Sequence, residues 1–260
     1  MKVSWIRLIT YSIVGLVVAL FIMNYFKPHP NDKLQSFTSE NGTKGEYLIY
    51  PAKHAKGILV WLHGDGAYEF LHPKSYEYLG GDVGIKQIAK EKNLTLIVPK
   101  SPRQDETWWK KGKENSQYLV ELISSIHQHE NLWIGSFSGG SEMSTYWLLD
   151  KLPEMNVKSG GAIFFGGGGP PKSKDISREI NKENIVEGSF PLTWVVGEHD
   201  FGVQTKDDPF NAFESSKEGE NFYKKHGWKT DRHVLSEHQH HLSKEGKGLY
   251  GEYLNKYIQE

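Results

Sequence analysis

The chain contains no cysteine. That absence removes a disulfide framework, a thiol nucleophile, an iron–sulfur cluster, a thiolate zinc site and a lipid-modified cysteine, although it does not fix a compartment. Charge of one sign is lacking too: 31 Lys and Arg stand against 32 Asp and Glu, for a formal net charge of -1 and a pI near 6.9. Without a basic field, nucleic acid is not expected as a partner. Hydrophobic residues at 37% and charged residues at 24% exclude a disordered chain and a multi-span membrane protein. Beyond residue 45 there is no repeat at solenoid spacing and no Pro/Gly/Ser linker, so those residues read as one domain.

Long apolar runs are scarce, with one exception at the amino end. Leu8 to Phe26 carries no charged residue, and as a helix it would span roughly 28 Å, enough to cross a bilayer. Lys2 and Arg7 precede it, Lys27 follows it, and Trp5, Tyr25 and Phe26 occupy interfacial positions. No A-x-A-like cleavage step precedes a polar start. The expectation is therefore an uncleaved single-pass anchor in the lipid bilayer through 8–26, with the folded body extracytoplasmic. Residues 1–30 form the cytoplasmic start and anchor, 31–44 a polar linker rich in turn formers, and 45–260 the folded domain.

Within that domain, short apolar runs alternate with amphipathic ones. Residues 57–62 (GILVWL), 94–99 (LTLIVP), 131–136 (NLWIGS), 161–165 (GAIFF) and 191–196 (PLTWVV) predict buried strands, and 231–236 a further one. Residues 115–127 place Leu119, Leu122 and Ile123 on one helical face. Residues 141–152, 211–226 and the terminal YGEYLNKYI predict more helices. Strands separated by helices imply an α/β fold with a mostly parallel sheet.

The chemistry starts at NLWIGSFSGGSEM. A buried strand turns at Ser136-Phe137-Ser138-Gly139-Gly140 into a helix, the small-x-Ser-x-small form of a nucleophile elbow. Small flanking residues let the chain turn back tightly, Ser138 would stand above the sheet edge, and the Gly139 amide would face a developing oxyanion. The early strand runs into His63-Gly64-Asp65-Gly66, where Asp65 or Gly66 is the candidate second oxyanion amide and His63 organises the loop. After PLTWVV comes Gly197-Glu198-His199-Asp200, which offers Asp200 as the acid that orients a histidine, with Asp207 and Asp208 as alternatives. Late in the chain, His238, His240 and His241 follow the last strand. His240 ranks first as base, then His241, then His238.

These motifs, in the order serine, acid, histidine, resemble the alpha/beta-hydrolase superfamily, and SFSGGSEM resembles the nucleophile region of small esterases related to polyester depolymerases and feruloyl or acetyl esterases. The resemblance implies an alpha/beta-hydrolase-like sheet with Ser138 as nucleophile, Asp200 as acid, and a late histidine as base. Ser136 stands where the family has glycine, and no Gly-x-Gly-His approach precedes the base. The expected function is a membrane-anchored serine hydrolase that cleaves carboxylic esters in small-molecule or polymer-linked substrates through an acyl-enzyme, with no cofactor and no metal. The alternative is a catalytically silent domain of the same fold that binds a ligand or a surface polymer.

Three other signals invite different chemistry. GGGGPPKS at 166–173 approaches a phosphate-binding loop, but Pro171 replaces the last glycine and removes an amide such a cradle uses. His238, His240 and His241 with His199 and Asp200 sketch a divalent-metal site. Trp108 and Trp109 are placed to flank a substrate pocket. No protein partner can be read from the chain.

Overall fold

The computed structural model describes residues 33–126, 131–172, 190–202 and 210–259. Eight strands make one sheet: β1 (Lys33–Thr38), β2 (Lys44–Tyr50), β3 (Gly57–Leu62), β4 (Leu94–Pro99), β5 (Asn131–Phe137), β6 (Ser159–Phe165), β7 (Leu192–Gly197) and β8 (Thr230–Leu235). Their spatial order is β1-β2-β4-β3-β5-β6-β7-β8. The β1–β2 and β2–β4 pairs are antiparallel, and every pair from β4 to β8 is parallel.

The parallel strands β3 to β7 are buried almost throughout because both faces are covered, whereas the edge strand β8 carries Asp231, Arg232 and His233. In β3, Ile58, Val60 and Leu62 face one core with Leu119, Leu122 and Ile123 of the helix Gly112–Ile126 and with Tyr223 of the helix Ala212–Lys225. Leu59 and Trp61 face the other core, with Ile85 and Ile88 of the helix Ile85–Glu91 and Tyr250 and Leu254 of the helix Tyr250–Tyr257. Each such side chain, taken fully out of water, contributes about 1.5–3 kcal/mol.

Two elements differ from the sequence expectation. The polar stretch assigned to a linker at 31–44 contains β1 and the start of β2. Their turn is closed by Ser39 N to Thr43 O and Gly42 N to Ser39 O, both 2.9 Å, with Gly42 at φ +83°. The turn is tied to the body by Glu40 N donating to Glu121 Oε2 at 2.6 Å. The helix expected at 141–152 begins at Gly139, widens into π spacing over Ser144–Leu148 and tightens into 3-10 turns over Leu149–Met155, where Pro153 cannot donate an amide.

The expected preceding transmembrane helix is corrected. Among the described residues no helix is long and apolar enough to cross a membrane. The helix Gly112–Ile126 has 15 residues, roughly 22 Å of rise, and carries Lys113, Glu114 and Glu121. The stretch 8–26 lies outside the described residues. The anchor, the bilayer as partner and the single-pass location are accordingly withdrawn.

Candidate active site

The loops at the carboxyl edge of β3, β5, β6 and β7 converge with the loop after β8. At the end of β5 the chain reverses at Ser138, which has φ 50° and ψ -120°. A residue with a Cβ pays roughly 1–3 kcal/mol for such a backbone. Hydrogen bonds hold it there: Ser138 N donates to Phe165 O at 2.9 Å, and Ser138 O accepts from Ser141 N at 2.8 Å and Glu142 N at 3.1 Å. Ser136, where the family resemblance has glycine, is fully buried. Its hydroxyl joins Ser141 Oγ at 3.3 Å, and Ser141 Oγ donates to the carbonyls of Ser136 and Phe165, both at 2.9 Å. The extra hydroxyl is therefore absorbed by a hydrogen-bonded cluster below the turn.

Asp200 follows β7 and is 1% exposed. Its backbone is fixed by Asp200 N to Gly197 O at 3.2 Å and by Phe213 N to Asp200 O at 2.9 Å. Both carboxylate oxygens lie 3.0 Å from His240 Nδ1, and His240 Nε2 lies 2.9 Å from Ser138 Oγ. A carboxylate only accepts, so Nδ1 carries the proton and Nε2 accepts from the serine hydroxyl. Phe137 packs on the imidazole with ring centroids 4.9 Å apart. The arrangement is that of a serine hydrolase.

The neighbouring histidines are engaged elsewhere. His241 Nδ1 meets the Tyr78 hydroxyl at 3.2 Å, and His238 Nδ1 donates to Ser236 O at 2.8 Å. His199 is exposed. Among the described residues no three His, Asp or Glu side chains are grouped to hold a metal ion, so the metal alternative is not assembled. Asp207 and Asp208 lie outside the described residues.

Of the two oxyanion candidates in the early loop, the Gly66 amide donates to Glu106 O at 3.3 Å. Asp65 borders the cleft with Ser138 and Gly139, and its Oδ2 accepts from Trp109 Nε1 at 3.0 Å. His63 is fully buried, Nδ1 donating to Gly64 O at 2.6 Å and Nε2 accepting from Ser101 N at 3.0 Å. Burial lowers its pKa to about 4, so it organises this loop as a neutral ring. Trp108 is buried against His63, whereas Trp109 is 40% exposed at the cleft. The cleft, 840 Å³, also exposes Tyr146 and Phe210 beside the triad.

Two acidic residues of this region carry no sequence signal. Glu69 is 1% exposed and accepts from Gly64 N at 3.1 Å and Trp61 Nε1 at 3.4 Å. Burial pushes its carboxyl up to about 7. Glu142 is 4% exposed beneath Ser138, and burial raises its carboxyl as well. Both sit in helical segments where an acidic residue ordinarily reads as solvated.

No protein-family model matches the sequence, and no curated protein matches it. Solved structures do match in shape. An uncharacterized protein from Bacillus cereus superposes with a TM-score of 0.55 at 20% identity, covering 81% of this chain and 62% of that one. A thermostable esterase gives 0.57 at 16%, with 87% and 60% covered. The feruloyl esterase module of Clostridium thermocellum, complexed with sinapinate, gives 0.51 at 16%, with 90% and 88% covered. The chain thus spans about three fifths of the first two proteins' length. What these likenesses share with this chain is the fold, an alpha/beta-hydrolase-like sheet flanked by helices.

Proposed function

We propose that this protein hydrolyses carboxylic esters through an acyl-enzyme on Ser138. The observation that carries the reading is the single imidazole, His240, within hydrogen-bond distance of both Ser138 Oγ and the buried Asp200 carboxylate. Ser138 Oγ attacks the ester carbonyl while His240 Nε2 takes its proton, and Asp200 holds the Nδ1–H and stabilises the imidazolium. The amides of Gly139 and Asp65 bind the oxyanion; the engagement of the Gly66 amide with Glu106 supports Asp65 over its neighbour. Imidazolium then gives its proton to the departing alcohol. Water, deprotonated by the same Nε2, releases the acid and restores Ser138.

An ester rather than an amide is supported by the resemblance of SFSGGSEM to small esterases related to polyester depolymerases and feruloyl or acetyl esterases. The proposed catalytic domain extends from β1 rather than from residue 45.

The test is covalent. A fluorophosphonate should add one adduct, mapped to Ser138, and p-nitrophenyl acetate should be turned over. Both should vanish in Ser138→Ala. A folded wild type that neither labels nor turns over ester would instead support a silent ligand-binding domain.

A further inference from the structure

The triad leaves the run Gly166–Gly169, which follows β6, without a role. Its first residue touches the base: at φ +58°, a Cβ on Gly166 would stand 3.1 Å from His240 Cε1 and 3.2 Å from Nδ1. Two residues on, Gly168 is gripped at both ends. Its N–H donates to Glu142 Oε1 at 3.0 Å, and its carbonyl accepts from Trp194 Nε1 at 2.6 Å. Gly169 N reaches Glu142 Oε2 at 3.5 Å.

Glu142 has further attachments. Its own amide donates to Ser138 O at 3.1 Å, within the elbow. Ser215 Oγ, on the helix Ala212–Lys225, donates to Glu142 Oε1 at 2.9 Å. That helix anchors Asp200 by Phe213 N, and at Gly219 it approaches the Gly168 carbonyl so closely that a Cβ would lie 2.0 Å away. One buried side chain therefore joins the elbow that carries the nucleophile to the loop that lies against the base and to the helix that hydrogen-bonds the backbone of the acid.

The geometry points to Glu142 as a positioning residue: its carboxyl group sets the mutual register of Ser138, His240 and Asp200 by clamping the Gly166–Gly169 loop and the helix beyond it onto the elbow. Such a residue acts through others. Small displacements of reacting groups cost up to about 10²-fold in rate without changing how substrate is held. The glycines are then explained as the material of a loop that must pass flush between an imidazole and a helix, not as a phosphate cradle.

This inference rests on the ester-hydrolase reading, and the experiment separates the two. Kinetics with p-nitrophenyl acetate and the rate of fluorophosphonate labelling are measured on the full chain, at equal folded protein, for wild type, Glu142→Ala, Glu142→Gln and Ser215→Ala. Glu142→Ala should lose about 10- to 100-fold in kcat, with KM within about twofold, and label correspondingly slowly. Glu142→Gln should recover most of that loss, because its amide oxygen still accepts from Gly168 N and Ser215 Oγ. Ser215→Ala, which removes one donor, should lose a few-fold in kcat alone. A folded Glu142→Ala with wild-type kcat overturns the inference, as does a Glu142→Gln as impaired as the alanine variant. Should Glu142→Ala fail to fold, wild-type kcat in Ser215→Ala overturns it instead. A wild type that neither labels nor turns over overturns the hydrolase reading on which the inference stands.

Discussion

Glu69 and His63 hold the two ends of one residue: the Gly64 N–H donates to the Glu69 carboxyl, and the Gly64 carbonyl accepts from His63 Nδ1. The turn between them presents Asp65 to the cleft. Burial acts on both ionisable groups, but in opposite directions, raising the carboxyl to about 7 and lowering the imidazole to about 4.

Their contributions to pH-dependent stability should therefore oppose each other. Glu69, at 4.5 when unperturbed, binds more protons folded than unfolded between 4.5 and about 7, so its contribution falls as pH rises through that window. His63, at 6.5 when unperturbed, binds more protons unfolded between about 4 and 6.5, so its contribution rises with pH. Each amounts to about 3 kcal/mol across its window. Glu69→Gln removes the falling contribution, and urea unfolding of that variant should show stability climbing from about pH 4.5 to 6.5. A pH profile parallel to that of the wild type would count against the opposition.

Single substitutions in the triad should separate by role. Asp200→Asn should keep the fold and lose on the order of 10⁴-fold in turnover, because the amide no longer selects the Nδ1–H tautomer. His240→Ala should lose about 10³-fold or more, and His241→Ala and His238→Ala far less. Steady-state rates on a short p-nitrophenyl ester decide the matter. If His241→Ala alone abolishes turnover, the base must be reassigned.

Ester turnover should survive dialysis against excess chelator, since proton transfer between Ser138 and His240, with Asp200 holding the imidazole, needs no Lewis acid. Loss of activity that returns on adding a divalent metal would move the chemistry elsewhere.

Leu254→Ala tests the packing of the last helix on the sheet. Leu254 is fully buried in the same core cluster as Trp61 and Ile163, and its truncation should cost about 2–5 kcal/mol. Denaturant titration should show the loss, while kcat per folded molecule stays near wild type.

Much of the sheet was legible because buried parallel strands declare themselves. The runs at 57–62 and 94–99 have the bounds of β3 and β4, each an apolar hexapeptide between polar segments. The hairpin of β1 and β2 was hidden because polar Gln35 and Ser36 separate Leu34 from Phe37 in β1, and in β2 the apolar run is short and follows Lys44, Gly45 and Glu46. Asn41-Gly42, a dipeptide suited to tight reversals, was the available signal. Choosing among three histidines within four residues requires knowing where a loop points. Here the His238 carbonyl accepts from His199 N at 2.9 Å, which pins that residue to the loop after β7, and the ring that meets Asp200 is the one two residues on. Glu69 and Glu142 were illegible because a buried carboxylate is recognisable only by the amides brought to it from distant segments. Nothing among the described residues supports the membrane anchor.

The β1–β2 hairpin has a practical consequence for anyone cutting this chain. A fragment started at residue 45 would delete β1 and leave the amides and carbonyls that β2 now spends on it, from Ile49 to Gly45, open along a strand carrying Tyr47, Leu48 and Ile49. Bare strands of that composition recruit one another, so such a fragment invites self-association and poor yield, whereas one that keeps the hairpin whole retains the native sheet border.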